Sequence, residues 1–198
     1  MENRYLYQLV SSISYAAETR DFYTSKHQSG VSSLSRRIAK ELSLTNDQIE
    51  SVRIAGTLHD IGKLAIPVAL LSKVGKLRKE EFELIKIHSI VSEEIIKDIK
   101  FPYPIATIVR QHHERLDGSG YPDGLKANNI LMESKIVAVA DVVESMMQSR
   151  AYRKALGVEV ALDEIKKNKN ILYDADVVAA CLNIFSKYPI DECFSSNK

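Results

Sequence analysis

Apolar positions recur every three or four residues along almost the whole chain, the spacing of a helix that buries one face. Leu6, Leu9, Ile13 and Ala17 form one such stripe, and His27, Val31, Leu34, Ile38 and Leu42 form the next. Thr45 is followed three residues later by Gln48, a capping-box signature, and opens a helix carrying Ile49, Val52, Ala55 and Leu58. That helix runs into the pair His59-Asp60 and stops near Gly62 and Pro67. Further helices are expected over 79–99, with Phe82, Ile85 and Ile95 facing inward, and over 104–114, 132–147, 158–168 and 175–187. Strand signals are nearly absent. The stretch 137–143 is β-branched and apolar, but its flanks keep a helical period, so it reads as a buried helix. One segment breaks the pattern: residues 117–124 hold three glycines and a proline, which demands a structured loop. The pattern predicts an all-α fold, a single globular multi-helix domain over 20–190. Residues 1–19 are a helix packed on it, and 191–198 are a frayed tail.

Composition narrows the setting. With 198 residues, 45% hydrophobic and 27% charged, the chain is long enough for one sizeable core and short for two. Twenty-seven basic side chains meet 26 acidic ones, so no broad positive field points to duplex nucleic acid or to an anionic membrane. Any affinity for phosphate must then be local. No apolar run approaches the roughly 18 residues of a membrane span, and residues 1–10 lack a signal-peptide pattern. Cys181 and Cys193 have no CxxC partner and read as one buried small hydrophobe and one tail thiol. These features predict a reduced, cytoplasmic protein.

Candidate chemistry lies with the histidines, which are His27, His59, His88, His112 and His113. A lone histidine on an apolar helix is usually a hydrogen-bonded core residue. Here, however, His59-Asp60 and His112-His113 are adjacent pairs beside apolar helical stretches. Asp141 sits inside Val139-Ala140-Asp141-Val142-Val143, where an unpaired carboxylate would be too costly to bury. A metal would supply the missing positive charge. Imidazole and carboxylate together suit iron, manganese or zinc, whereas calcium and magnesium prefer oxygen alone. Spacing by itself does not show which helices meet.

His59-Asp60, followed by Ile61, Gly62 and Lys63, resembles the HD-x-x-K core of the HD superfamily of metal-dependent phosphohydrolases. The run from His112-His113-Glu114 through Asp117-Gly118 to Gly120-Tyr121-Pro122 matches the HHExxDGxGYP signature of the HD-GYP subfamily at every fixed position. Arg20-Asp21, His27-Gln28, Ile66-Pro67, His88, Ala140-Asp141, Arg150 and Arg153 keep the family's order, so the resemblance covers roughly 20–187. It implies one metal held by His27, His59, Asp60 and Asp141, with Asp60 bridging to a second held by His88, His112 and His113. Some members hold a third metal through a glutamate where this chain has Tyr23, so two divalent ions are expected, iron or manganese. The resemblance assigns Lys63, Arg150 and Arg153 to substrate phosphates, and the 118–124 loop to the pocket floor with Tyr121 at its rim. It implies hydrolysis of a cyclic dinucleotide, cyclic di-GMP first and cyclic GMP–AMP as the variant. A GGDEF-type signalling protein is a candidate partner through the loop. Two other readings stay open: a non-catalytic module that binds the nucleotide or a partner, and a phosphohydrolase of nucleoside triphosphates or alarmones. Phe22, Gly30 and Ser92 depart from the family's proline, arginine and glycine.

Overall fold

The computed structural model describes residues 8, 10–15, 17, 27–148 and 155–195. Leu6, Leu9, Arg20, Asp21, Phe22, Tyr23, Arg150 and Arg153 lie outside the described residues. The described residues are helical with no strand among them. The helices are α1 (His27–Glu41), α2 (Asn46–Leu58), α3 (Val68–Leu71), α4 (Lys79–Ile96), α5 (Ile105–Gln111), α6 (Met132–Met147), α7 (Val158–Lys167), α8 (Ala175–Lys187) and α9 (Ile190–Cys193). Short 3₁₀ turns occupy Ile61–Ala65 and Ala127–Asn129. Among the described residues, no helix is long and apolar enough to cross a membrane.

Local chemistry sets several of these boundaries. The Thr45 side chain accepts the Gln48 N–H at 3.3 Å, and the Gln48 side chain accepts the Thr45 N–H at 3.3 Å, completing the expected capping box of α2. Asp174 caps α8 by accepting the Asp176 and Val177 N–H groups. Helix α6 carries the apolar stretch that could have been a strand. It buries Ile136, Val137, Val139, Ala140 and Val143 against α1, α2, α5, α7 and α8, so it runs through the centre of one continuous core.

Helix α4 corrects an expectation. Phe82 and Ile95 do not face inward; they are 44% and 42% exposed. The buried face is instead Glu81, His88, Ser89, Ser92 and Ile96. Its partner is the turn at Gly62, where a Cβ would lie 2.0 Å from the His88 carbonyl oxygen and 2.6 Å from the Ser92 nitrogen. Such an approach of two backbones admits only small side chains, so the large ones turn outward. Ser92 then fastens the contact, accepting the Gly62 N–H at 2.8 Å and donating to the His59 carbonyl at 2.8 Å. The departure from glycine at this position therefore adds two hydrogen bonds.

The C-terminal end is also firmer than expected. Cys193 is fully buried in α9, and Phe194 packs edge-on against Phe185 at 5.8 Å. Neither cysteine is an exposed tail thiol, because α9 closes the end of the core beside α1 and α8.

Candidate metal centre

Six elements deliver the expected side chains to one place. His27 stands at the start of α1 and His88 on the buried face of α4, while Asp141 lies in the middle of α6. His59 caps the C-terminus of α2, and Asp60 opens the 3₁₀ turn that carries Lys63. Helix α5 ends at Gln111, earlier than expected, so His112 is its C-cap and His113 lies in the following turn. That early stop frees the pair to turn toward α4.

The geometry is a chain of contacts around Asp60. Its Oδ2 lies 3.3 Å from His59 Nε2 and 3.6 Å from His27 Nε2, while Oδ1 lies 3.5 Å from His88 Nε2. His27 Nε2 is 3.2 Å from Asp141 Oδ1, and His88 Nε2 is 3.4 Å from His112 Nε2. Donor atoms of His88, His112 and His113 gather within 4.8 Å of one another, as do those of His27, His59 and Asp141, and those of His59, Asp60 and His112. Lys63 Nζ donates to Asp60 Oδ2 at 2.7 Å.

Ring orientation argues that these residues fit a cation. His59, His88 and His112 each direct Nδ1 at the backbone carbonyl three residues earlier, of Gly56, Ile85 and Val109. Those carbonyls accept a hydrogen bond and cannot donate one, so each Nδ1 carries hydrogen and each Nε2 presents a lone pair. Two lone pairs then face each other across 3.4 Å between His88 and His112. The buried Nε2 atoms of His27 and His59 make no well-aligned hydrogen bond. Only a positive centre satisfies such a set. Protonation follows the same logic. Burial, reinforced by the neighbouring histidines, pushes the pKa of His112 down to about 3 and that of His113 well below the usual value. Burial also lowers the pKa of His88, against the pull of Asp60. Asp60 and Asp141 stay well below the carboxylate range despite burial, held by Lys63 and His59 and by His27 respectively. His88, His112 and His113 are thus neutral imidazoles beside ionised carboxylates, the states that metal ligands require, whereas His27 holds a proton that a cation would displace.

Two glutamates were overlooked as supports. Glu144 is 2% exposed and accepts the Nδ1–H of His27, while Gln148 donates to its other oxygen. Burial lowers the pKa of His27, but the carboxylates of Asp141 and Glu144 outweigh it and raise it to about 9. A Cβ on Gly30 would lie 2.9 Å from Glu144 Cγ, so glycine there, where the family commonly has arginine, makes room for this carboxylate. The hint was available, since Glu144 follows Asp141 by three residues and so shares its helical face. Glu114 accepts the N–H groups of Asp123 at 2.8 Å and Leu125 at 2.9 Å, fixing the glycine-rich loop. Through that loop Tyr121 lies over His113, their rings 4.6 Å apart. Burial and the nearby Asp141 and Asp60 raise the Tyr121 pKa, so its hydroxyl keeps its proton.

A cavity of about 300 Å³ opens beside the ligands. Asp60, His88, His113 and Asp141 line it, and so do Lys63 and Tyr121. Lys73 and Arg115 also line it, and sequence reasoning named neither. Lys73 is engaged by Glu81 at 2.6 Å, and Arg115 lies over the Tyr173 ring at 5.3 Å.

Fold and site together define a helical domain built around a buried histidine–aspartate metal centre. The chain belongs to the HD domain family, whose pattern matches residues 11–177, and its complete HHExxDGxGYP run places it in the HD-GYP branch. This family is metal-dependent. The chain is 38% identical over 182 residues to a cyclic di-GMP phosphodiesterase of Thermotoga maritima, covering 91% of this chain and 50% of that protein. It is 36% identical over 177 residues to the cyclic di-GMP phosphodiesterase response regulator RpfG of Xanthomonas campestris pv. campestris, covering 88% and 47%. It thus spans about half the length of the curated relatives it matches. Among solved structures, a cyclic GMP–AMP-specific phosphodiesterase of Vibrio cholerae superposes with a TM-score of 0.68 at 16% identity, over 90% of this chain and 48% of that one. That likeness is one of fold.

Proposed function

We propose that this domain is a metal-dependent phosphodiesterase that hydrolyses a cyclic dinucleotide, with cyclic di-GMP the first candidate. The observation that carries the reading is the convergence of seven candidate ligands, His27, His59, Asp60, His88, His112, His113 and Asp141, in one buried cluster, of which Asp60, His88, His113 and Asp141 line an open cavity. The relatives' names point to the same substrate class.

In this reading Asp60 would help to hold two ions, iron or manganese, since its two oxygens face different groups of histidines. Divalent ions there supply Lewis-acid polarisation of the phosphodiester and activation of water. The rest falls to the chain's own side chains. Lys63, partly exposed in the cavity beside Asp60, stabilises negative charge developing on the phosphoryl oxygens. Arg150 and Arg153 are assigned to the phosphates as bidentate donors. Tyr121, protonated and fixed by the loop, donates a hydrogen bond at the rim. Cleavage of one diester opens the ring to the linear dinucleotide pGpG, and cleavage of the second gives GMP. The glycine-rich loop is the surface proposed for a GGDEF-type partner.

The test is made on protein purified without oxygen. Its iron and manganese are quantified, and cyclic di-GMP and cyclic GMP–AMP are followed by chromatography. About two ions per chain with turnover of either nucleotide is expected, and Asp60→Ala should lose both. Ions bound with neither nucleotide cleaved would reject the activity, and a near-normal rate in Asp60→Ala would reject the shared-ligand arrangement.

A further inference from the structure

Phe82 is an aromatic that the core does not use. It stands 44% exposed on α4, yet it lines the cavity, with its ring edge-on to Tyr121 at 6.3 Å. Leu70 and Leu71 of α3, and Leu77 in the loop that follows, are half-buried and line the same cavity. The space is therefore two-sided, with charged metal ligands on its floor and an apolar wall beside them. A phosphate and its ions need the floor and gain nothing from the wall. The wall instead suits a flat group with an apolar face carried next to that phosphate.

We infer that Phe82, with Leu70, Leu71 and Leu77, forms the subsite for a purine base of the substrate. This rests on the phosphodiesterase reading above. Every nucleobase has a π-face, and stacking on an aromatic side chain supplies affinity without reading hydrogen-bond edges. The cavity, about 300 Å³, is at the lower end for small-molecule sites, so the base and phosphate of one nucleotide fill it. Lys86 Nζ, paired with Glu83 at 2.8 Å, lies 5.1 Å from the Phe82 ring centroid and 5.5 Å from that of Tyr121. A purely structural role has its own geometry. Leu77 and Phe82 occupy the positions before the cap and in the first turn of α4 that form a hydrophobic staple. A staple would stabilise the start of α4 but would not distinguish a phosphate that carries a base from one that does not.

That difference is the test. Binding of GMP and of ribose 5-phosphate to the full chain loaded with manganese(II) is measured by calorimetry, for the wild type, Phe82→Ala, Phe82→Leu and Phe82→Tyr. The wild type and the tyrosine variant should bind GMP roughly tenfold more tightly than ribose 5-phosphate. Alanine and leucine should lose most of that preference while ribose 5-phosphate binding stays the same. The leucine variant keeps an apolar staple, so it answers the question even if alanine unfolds the helix start. Equal binding of the two ligands by the wild type would overturn the subsite, as would a preference that survives in the leucine variant. Turnover of cyclic di-GMP by the wild type is measured separately. Its absence would reject the phosphodiesterase while the base preference stands or falls alone.

Discussion

At the residue scale, the site balances buried carboxylates against the two nitrogens of each imidazole. Three histidines have Nδ1 anchored by a backbone carbonyl of their own helix, whereas the Nδ1 of His27 meets the carboxylate of Glu144. The orientation of His27 Nε2 toward Asp141 and Asp60 therefore depends on a side chain from another helix. Glu144→Ala should lower manganese affinity by about 10–100-fold. Glu144→Gln retains an acceptor oxygen and should recover part of the loss. Equilibrium dialysis against manganese reads both variants, and unchanged affinity in the alanine variant would remove Glu144 from the site. The histidines and Asp141 were legible as candidates because paired imidazoles and a carboxylate in an apolar run are chemically conspicuous. Glu144 was passed over because one glutamate near a helix end has the look of an ordinary surface charge.

At the element scale, the contact between α4 and the Ile61–Ala65 turn sets the distance between His88 and Asp60. Gly62→Ala would place a methyl group against the His88 carbonyl, an atom that moves only with its helix. A loss of about 1–3 kcal/mol in urea unfolding is expected, together with weaker metal binding. Normal stability and metal content would show that the two elements separate freely. Glu81 secures the start of α4 by accepting from Lys73 at 2.6 Å and from the Arg78 N–H at 2.8 Å. These bonds lower its pKa from 4.5 to about 2, the Lys73 hydrogen bond most of all. A depressed carboxylate stabilises fully above its unfolded value and loses that contribution as pH falls toward its folded one. The melting-temperature gap between wild type and Glu81→Gln should therefore be full near neutrality and narrow as pH drops through 4.5 toward 2. A gap that stays constant over that range would mean that the pairing contributes nothing.

At the scale of the whole molecule, one core and one cluster are assembled from the same helices, so metal binding and folding are linked. Ligands that bind the folded chain hundredfold above their dissociation constant add about 3 kcal/mol. Chelation should then lower the melting temperature by roughly 5–10 °C for a domain of this size. An unchanged melting temperature after verified metal removal would show that the cluster is stable without its ions. The sequence by itself determined the helices that have one wet face, the capping box at Thr45, the loop over 117–124 and the identity of the metal-binding candidates. These depend on period, on turn chemistry and on motif, all of which are local in the chain. Only the tertiary structure decided that the buried face of α4 is Ser89 and Ser92 rather than Phe82 and Ile95. The face is chosen by how closely the Gly62 backbone approaches, and that contact joins residues about thirty positions apart. Only the fold, likewise, brought Glu144 to His27 across 117 positions of sequence and left Phe82 facing the cavity. Helical periodicity says that one face must be buried; which neighbour buries it, and how near that neighbour comes, is set when the helices pack.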